Sequence, residues 1–119
     1  MNQNPRQDPE LVGKFLEDIL RRKKYTTYGG VVENFNLPAL NGAWSSHPLC
    51  NIFEFLDQQD ATAKRPFRTS AVISEANNLP GAGFFEALAR LKGIRTPRNE
   101  NERMEIWIKE LRAAQAYHW

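Results

Sequence analysis

The residue pattern predicts a mainly α-helical domain with a small β wing. Two observations carry that expectation. Apolar residues recur at helical spacing in the first and last thirds of the chain. Between them one run, Pro66-Phe67-Arg68-Thr69-Ser70-Ala71-Val72-Ile73-Ser74, alternates polar and apolar residues and then meets the turn composition Asn77-Asn78-Leu79-Pro80-Gly81. A chain of 119 residues suffices for one domain over 8–119 whose core needs no staples, with a loose arm at 1–7.

Composition narrows the function classes. With 41% hydrophobic and 25% charged residues the chain has the balance of a soluble globular protein. No apolar run approaches membrane-spanning length, and the Asn/Gln/Pro-rich start is not a signal peptide, so cytoplasmic residence without membrane contact is expected. A single cysteine excludes an internal disulfide and any multi-cysteine zinc site. Net charge is only +2, but the cations come in blocks: Arg21-Arg22-Lys23-Lys24, then Lys64-Arg65 with Arg68, and a looser group of Arg90, Lys92, Arg95 and Arg98. Blocks of this kind terminate helices or meet phosphates.

Taken in order, Asp8-Pro9-Glu10 supplies a cap, a first-turn proline and an acid at the positive dipole end. Leu11, Val12, Phe15, Leu16, Ile19 and Leu20 then form one apolar face, which predicts a helix over 9–23. Thr26 or Thr27 caps a second helix over 28–35, with Val31, Val32 and Phe35 inward and Leu37-Pro38 as its stop. A third helix enters near Asn41-Gly42-Ala43-Trp44 or restarts at His47-Pro48, and Leu49, Ile52, Phe53 and Leu56 give it a buried side. Cys50 reads as a small buried hydrophobe there, and Gln58 to Lys64 as a polar connection. The strand follows over 67–74. Gly81-Ala82-Gly83 allows close packing or an anion contact before a helix over 83–92, closed by Gly93. Thr96-Pro97 and Asn99 with Glu102 open a last helix over 97–116, buried through Met104, Trp107, Ile108, Leu111 and Ala114. Helix, turn, helix, strand and turn in this order describe a winged helix-turn-helix core at 25–93, flanked by helices at either end.

Catalysis finds little footing in these residues. His47 and His118 lack a carboxylate at helical spacing, and with Cys50 they make no metal motif. No phosphate-loop or dinucleotide fingerprint occurs, and Thr69-Ser70 shows no activating base in the sequence. A non-enzymatic protein without cofactor or metal is expected.

Residues 26 to about 85 resemble the C-terminal winged-helix domain of the O6-alkylguanine DNA alkyltransferases and their alkyltransferase-like relatives. The matching pieces are Thr26-Thr27-Tyr28-Gly29, Leu37-Pro38, Asn41-Gly42-Ala43, Pro66 leading to Val72-Ile73, and Leu79 with Gly81. The family carries Pro-Cys-His-Arg before its paired valines; this chain has Arg68-Thr69-Ser70-Ala71. The resemblance therefore implies a scaffold without the alkyl acceptor or its activating histidine. It also sets Tyr28 at the family's nucleotide-rotating tyrosine, and Asn41 at or beside the arginine that fills the vacated stack.

The leading expectation is a non-enzymatic DNA-binding protein. Its contacts come from Tyr28, Asn41 and Ser45, with phosphates met by Arg21, Arg22, Lys23, Lys24, Lys64, Arg65 and Arg68. The rival is a small protein-interaction module on the same scaffold, a regulator or inhibitor of the kind phages and mobile elements encode. No lysine or arginine stands between Ala39 and Ala63, where Glu54, Asp57 and Asp60 do, and this favours the rival.

Overall fold

The computed structural model describes residues 8–119, and the arm expected over 1–7 lies outside them. Over the described residues the chain is mainly helical, with five α-helices and one small parallel sheet. Helix α1 (Pro9–Arg21) begins where Asp8 Oδ1 accepts from Glu10 N at 3.0 Å. It ends two residues before the expected 23, just ahead of Lys23, whose left-handed φ of 56° cannot continue a helix. Val12, Leu16 and Leu20 are fully buried, with Phe15 and Ile19 packed beside them. Leu11 is exposed, against expectation. At 100° per residue it lies roughly 140° round the helix from the centre of that stripe.

Strands β1 (Thr26–Thr27) and β2 (Val72–Ile73) pair in parallel, Thr26 opposite Val72 and Thr27 opposite Ile73. Helix α2 (Tyr28–Phe35) leaves β1 directly, because Thr27 Oγ1 accepts from Gly30 N at 3.0 Å and turns the extended chain into the first helical turn. Asn36, with φ of 53°, stops it. Past Leu37-Pro38, a 3-10 turn at Trp44–Ser46 leads to α3 (Pro48–Thr62). His47 is the cap: its Nδ1 accepts from Leu49 N at 3.1 Å, so Nε2 carries the proton toward Pro38 O at 2.8 Å. The helix runs through the stretch from Gln58 that was expected to be a connection, since Asp57 and Asp60 face the interior instead of water.

The strand expected over 67–74 is the largest correction. Arg68–Ala71 form a 3-10 turn, Ser70 N bonding to Phe67 O at 3.2 Å, and only Val72–Ile73 are extended. The alternation misled because its polar members have no solvent face: every residue from Phe67 to Ile73 is buried. Arg68 is bound to Asp60, Thr69 to Asp57, and Ser70 Oγ to the Phe67 carbonyl at 2.7 Å. Where a β wing was expected there is a two-residue parallel pair, and no antiparallel hairpin occurs among the described residues.

Helix α4 (Ala82–Lys92) closes on Gly93, whose φ of 69° suits glycine. Helix α5 (Glu100–Ala116) starts three residues later than expected, because Asn99 Oδ1 accepts from Glu102 N at 2.9 Å and takes the cap. Trp107, Leu111 and Ala114 are buried and Ile108 partly so, but Met104 is exposed. Helices α1, α3 and α5 all pack on the Arg68–Ala71 turn, which makes that turn the hub of the core. Trp107 Nε1 donates to Ser70 O at 2.8 Å, and Glu110 accepts from Phe67 N at 2.8 Å and from Lys92 Nζ at 2.7 Å.

Candidate functional site

The cations expected at a phosphate backbone are largely engaged elsewhere. Arg68 has a side chain only 6% exposed; its Nε and Nη2 reach Asp60 Oδ1 at 3.1 and 3.0 Å, and its Nη1 donates to Glu17 Oε2 at 2.9 Å. Gly13 makes room for it: a Cβ there would stand 2.6 Å from Arg68 Nη1. Arg65 Nε bonds the same Asp60 Oδ1 at 2.6 Å. The Arg65 and Arg68 guanidiniums lie 5.7 and 5.8 Å from the Trp119 ring centroid, and Arg21 Nη2 donates to Trp119 O at 3.4 Å. Arg22 pairs with Asp18 at 3.2 Å and Lys23 reaches Gln115 O, while Lys24 and Lys64 have exposed side chains. Arg21, Arg65 and Arg68 therefore meet around Trp119, and none of the three lines the cleft beside Tyr28. A phosphate contact through Arg68, as the sequence suggested, would leave Asp60, fully buried, without its main partner.

Tyr28 borders a cleft of about 960 Å³ between the start of α2, the α2–α3 connection, α3, the loop after β2 and the start of α4. Asn41 and Ser45 are exposed on the same connection, whose Leu40, Gly42 and Trp44 line the cleft. One wall is aromatic: Tyr28 and Trp44 meet edge to face at 5.5 Å, and Phe53 lies 6.0 Å from both rings. Gly81 N donates to the Tyr28 hydroxyl at 2.8 Å, tying α2 to the entry of α4. Burial raises the Tyr28 phenol above its ordinary value, against the lowering by that Gly81 bond, with a further push from Asp57.

The charge in this cleft is acidic. Glu54, Asp57, Glu75 and Glu86 line it against a single cation, Arg90. Asp57 is the pivotal group. It is 5% exposed, and its Oδ1 accepts from Thr69 Oγ1 at 2.6 Å. Burial pushes its carboxyl up to about 7; the Thr69 bond opposes this, Asp60 reinforces it, and Lys92 and Arg90 pull it back. Sequence reasoning missed both Asp57 and Thr69 as site residues. A signal existed: Asp57 stands four residues after Phe53 and Asp60 four after Leu56, so both acids continue the apolar face of α3. Asp57 is a partner that only the fold brings to Thr69.

Cys50, expected to be buried, is half-buried and borders the cleft. Its thiol is raised, chiefly by desolvation and then by Glu54, whose Oε2 is 4.0 Å from Sγ, and a raised thiol is a poor nucleophile. Among the described residues no three His, Cys, Asp or Glu side chains converge as a metal ion requires. No described helix is long and apolar enough to cross a membrane. Comparisons with protein-family models, curated proteins and solved structures return no match for this chain.

Proposed function

We propose that this protein is a non-catalytic binding module that holds a protein partner in the cleft beside Tyr28. The observation that carries this is the acidic cleft itself: the carboxylates of Glu54, Glu75 and Glu86 and the buried carboxyl of Asp57 stand against one arginine beside an aromatic wall. Such a lining repels a phosphate backbone and attracts a basic polypeptide. Trp44, 38% exposed, is an aromatic anchor at its mouth. A photo-crosslinking side chain at Leu40, which is exposed and borders the cleft, should yield protein adducts in cells; the same group at Lys64, exposed beyond the end of α3 and outside the cleft lining, should not. Nucleic-acid adducts at Lys64 with none at Leu40 would refute this proposal.

A second reading, DNA binding by the basic surface around Trp119, draws on Arg21 and Arg65 beside that ring, with Lys24 and Lys64 exposed. It requires that Lys24→Ala and Lys64→Ala each lower the salt dependence of log K by about one unit, whatever the DNA sequence. Titration of duplex DNA at two salt concentrations measures this.

A further inference from the structure

Resting on the cleft as a protein-binding site, we propose that it docks an arginine side chain from a basic, extended segment of the partner, the guanidinium donating to Asp57 Oδ2. Asp57 has one satisfied oxygen, Oδ1, and Oδ2 accepts no hydrogen bond among the described residues. Every fully buried side-chain nitrogen or oxygen among those residues has a partner, so Oδ2 opens into the cleft it lines. A carboxylate this deep is costly without a donor. The same helix shows the contrast. Asp60, one turn on, is held by Arg65 and Arg68, whereas Asp57 receives only the Thr69 hydroxyl.

Three further features select arginine. Tyr28, Trp44 and Phe53 form the adjoining wall, and a planar guanidinium stacks on aromatic faces while its edge donates to a carboxylate. Glu54, Glu75 and Glu86 stand exposed around the opening, where they attract a basic chain before it docks. The cleft, of about 960 Å³, has room for an arginine side chain entering from a peptide backbone that stays outside it. Lysine offers a point charge without the planar face, so it binds more weakly at a stacked site.

The guanidinium requires ionised Asp57, so docking displaces the proton that burial keeps there. The charged groups acting on that carboxyl are Asp60 on α3 and Arg90 and Lys92 on α4; Asp57 in turn raises Tyr28 on α2, and Glu54 and Glu86 line the same cleft. With the carboxyl titrating at about 7, affinity rises about tenfold from about pH 6 to about pH 8.

The probe is an end-blocked Gly-Gly-Arg-Gly-Gly peptide, with its lysine and citrulline counterparts, titrated into the whole protein and followed by amide NMR shifts. Shifts are expected at Tyr28, Trp44 and Asp57, with binding weakened about tenfold by citrulline or by Asp57→Asn. The double variant Glu75→Gln/Glu86→Gln changes only exposed side chains and should weaken binding about threefold. Equal binding of the citrulline peptide, indifference to Asp57→Asn, shifts confined to other surfaces, or no shifts at millimolar peptide would each overturn arginine docking. If Leu40 still cross-links to a protein in that case, the protein-binding function stands without it. Asp57-dependent binding with no protein adduct at Leu40 overturns the function and leaves the arginine site.

Discussion

Replacing Asp57 with Asn should stabilise the protein at neutral and alkaline pH and abolish much of the pH dependence of its stability. The wild-type carboxyl titrates at about 7 in the folded chain against an ordinary 3.8. Each pH unit between those values corresponds to about 1.4 kcal/mol, so ionising the buried group costs about 4 kcal/mol in all. The sign follows from the proton count. Between the two values the folded chain holds a proton that the unfolded chain has released, so stability falls as pH rises. The contribution is complete below about pH 4, declines by about 1.4 kcal/mol per unit, and is gone above about pH 7. Asn retains an oxygen to accept from Thr69 Oγ1 and never ionises, so its own curve lacks this decline. Urea denaturation of both proteins from about pH 4 to pH 8 isolates the effect, because every other titrating group is common to the pair. Wild type minus variant should drop by about 4 kcal/mol across that range. A flat difference, or a wild type that gains on the variant above pH 7, would show that Asp57 is not the buried, proton-holding group described here.

Arg68→Ala should destabilise the fold by about 3–5 kcal/mol, since it strips the main partner from buried Asp60 and empties space beside Gly13. Lys64→Ala, on an exposed side chain, should change stability by less than about 0.5 kcal/mol, and comparison of denaturation midpoints separates the two. Trp107→Ala and Leu16→Ala should each cost about 2–5 kcal/mol; an unchanged melting temperature for Trp107→Ala would mean α5 is not part of the core. Incubated with duplex DNA carrying O6-methylguanine, the protein should gain no methyl group at Cys50 by intact-mass spectrometry, because its thiol is raised and faces Glu54.

Locally encoded features could be read from the sequence. The caps at Asp8, Thr27 and Asn99 act within three residues, and each accepts the hydrogen bond its position suggests. The apolar stripes of α1, α3 and α4 are periodic, so Leu16, Leu56 and Phe84 lie in the core as their spacing requires. Helix existence and order follow from such short-range signals, and so does the placement of Tyr28 at the start of α2. Ends were less well marked: α3 outruns its apolar pattern because two acids occupy inward positions, which a polarity rule reads as surface.

What the tertiary structure alone decided is the meaning of the polar residues. Arg68 belongs to a basic block in sequence, yet Asp60, Glu17 and Gln59, none adjacent to it, draw it inside. That capture bends the expected strand into a 3-10 turn, because the backbone must bring Arg68 N as well as its side chain to Asp60. Thr69 and Asp57 are twelve residues apart and meet only because α3 packs on that turn. The cleft's charge is likewise a sum over α3, the loop after β2 and α4, invisible to any window along the chain. Hydrophobic periodicity is a local property, but the pairing of a buried charge depends on which distant group the fold brings within three ångströms, and here that separated Asp60, which is paired, from Asp57, which is not.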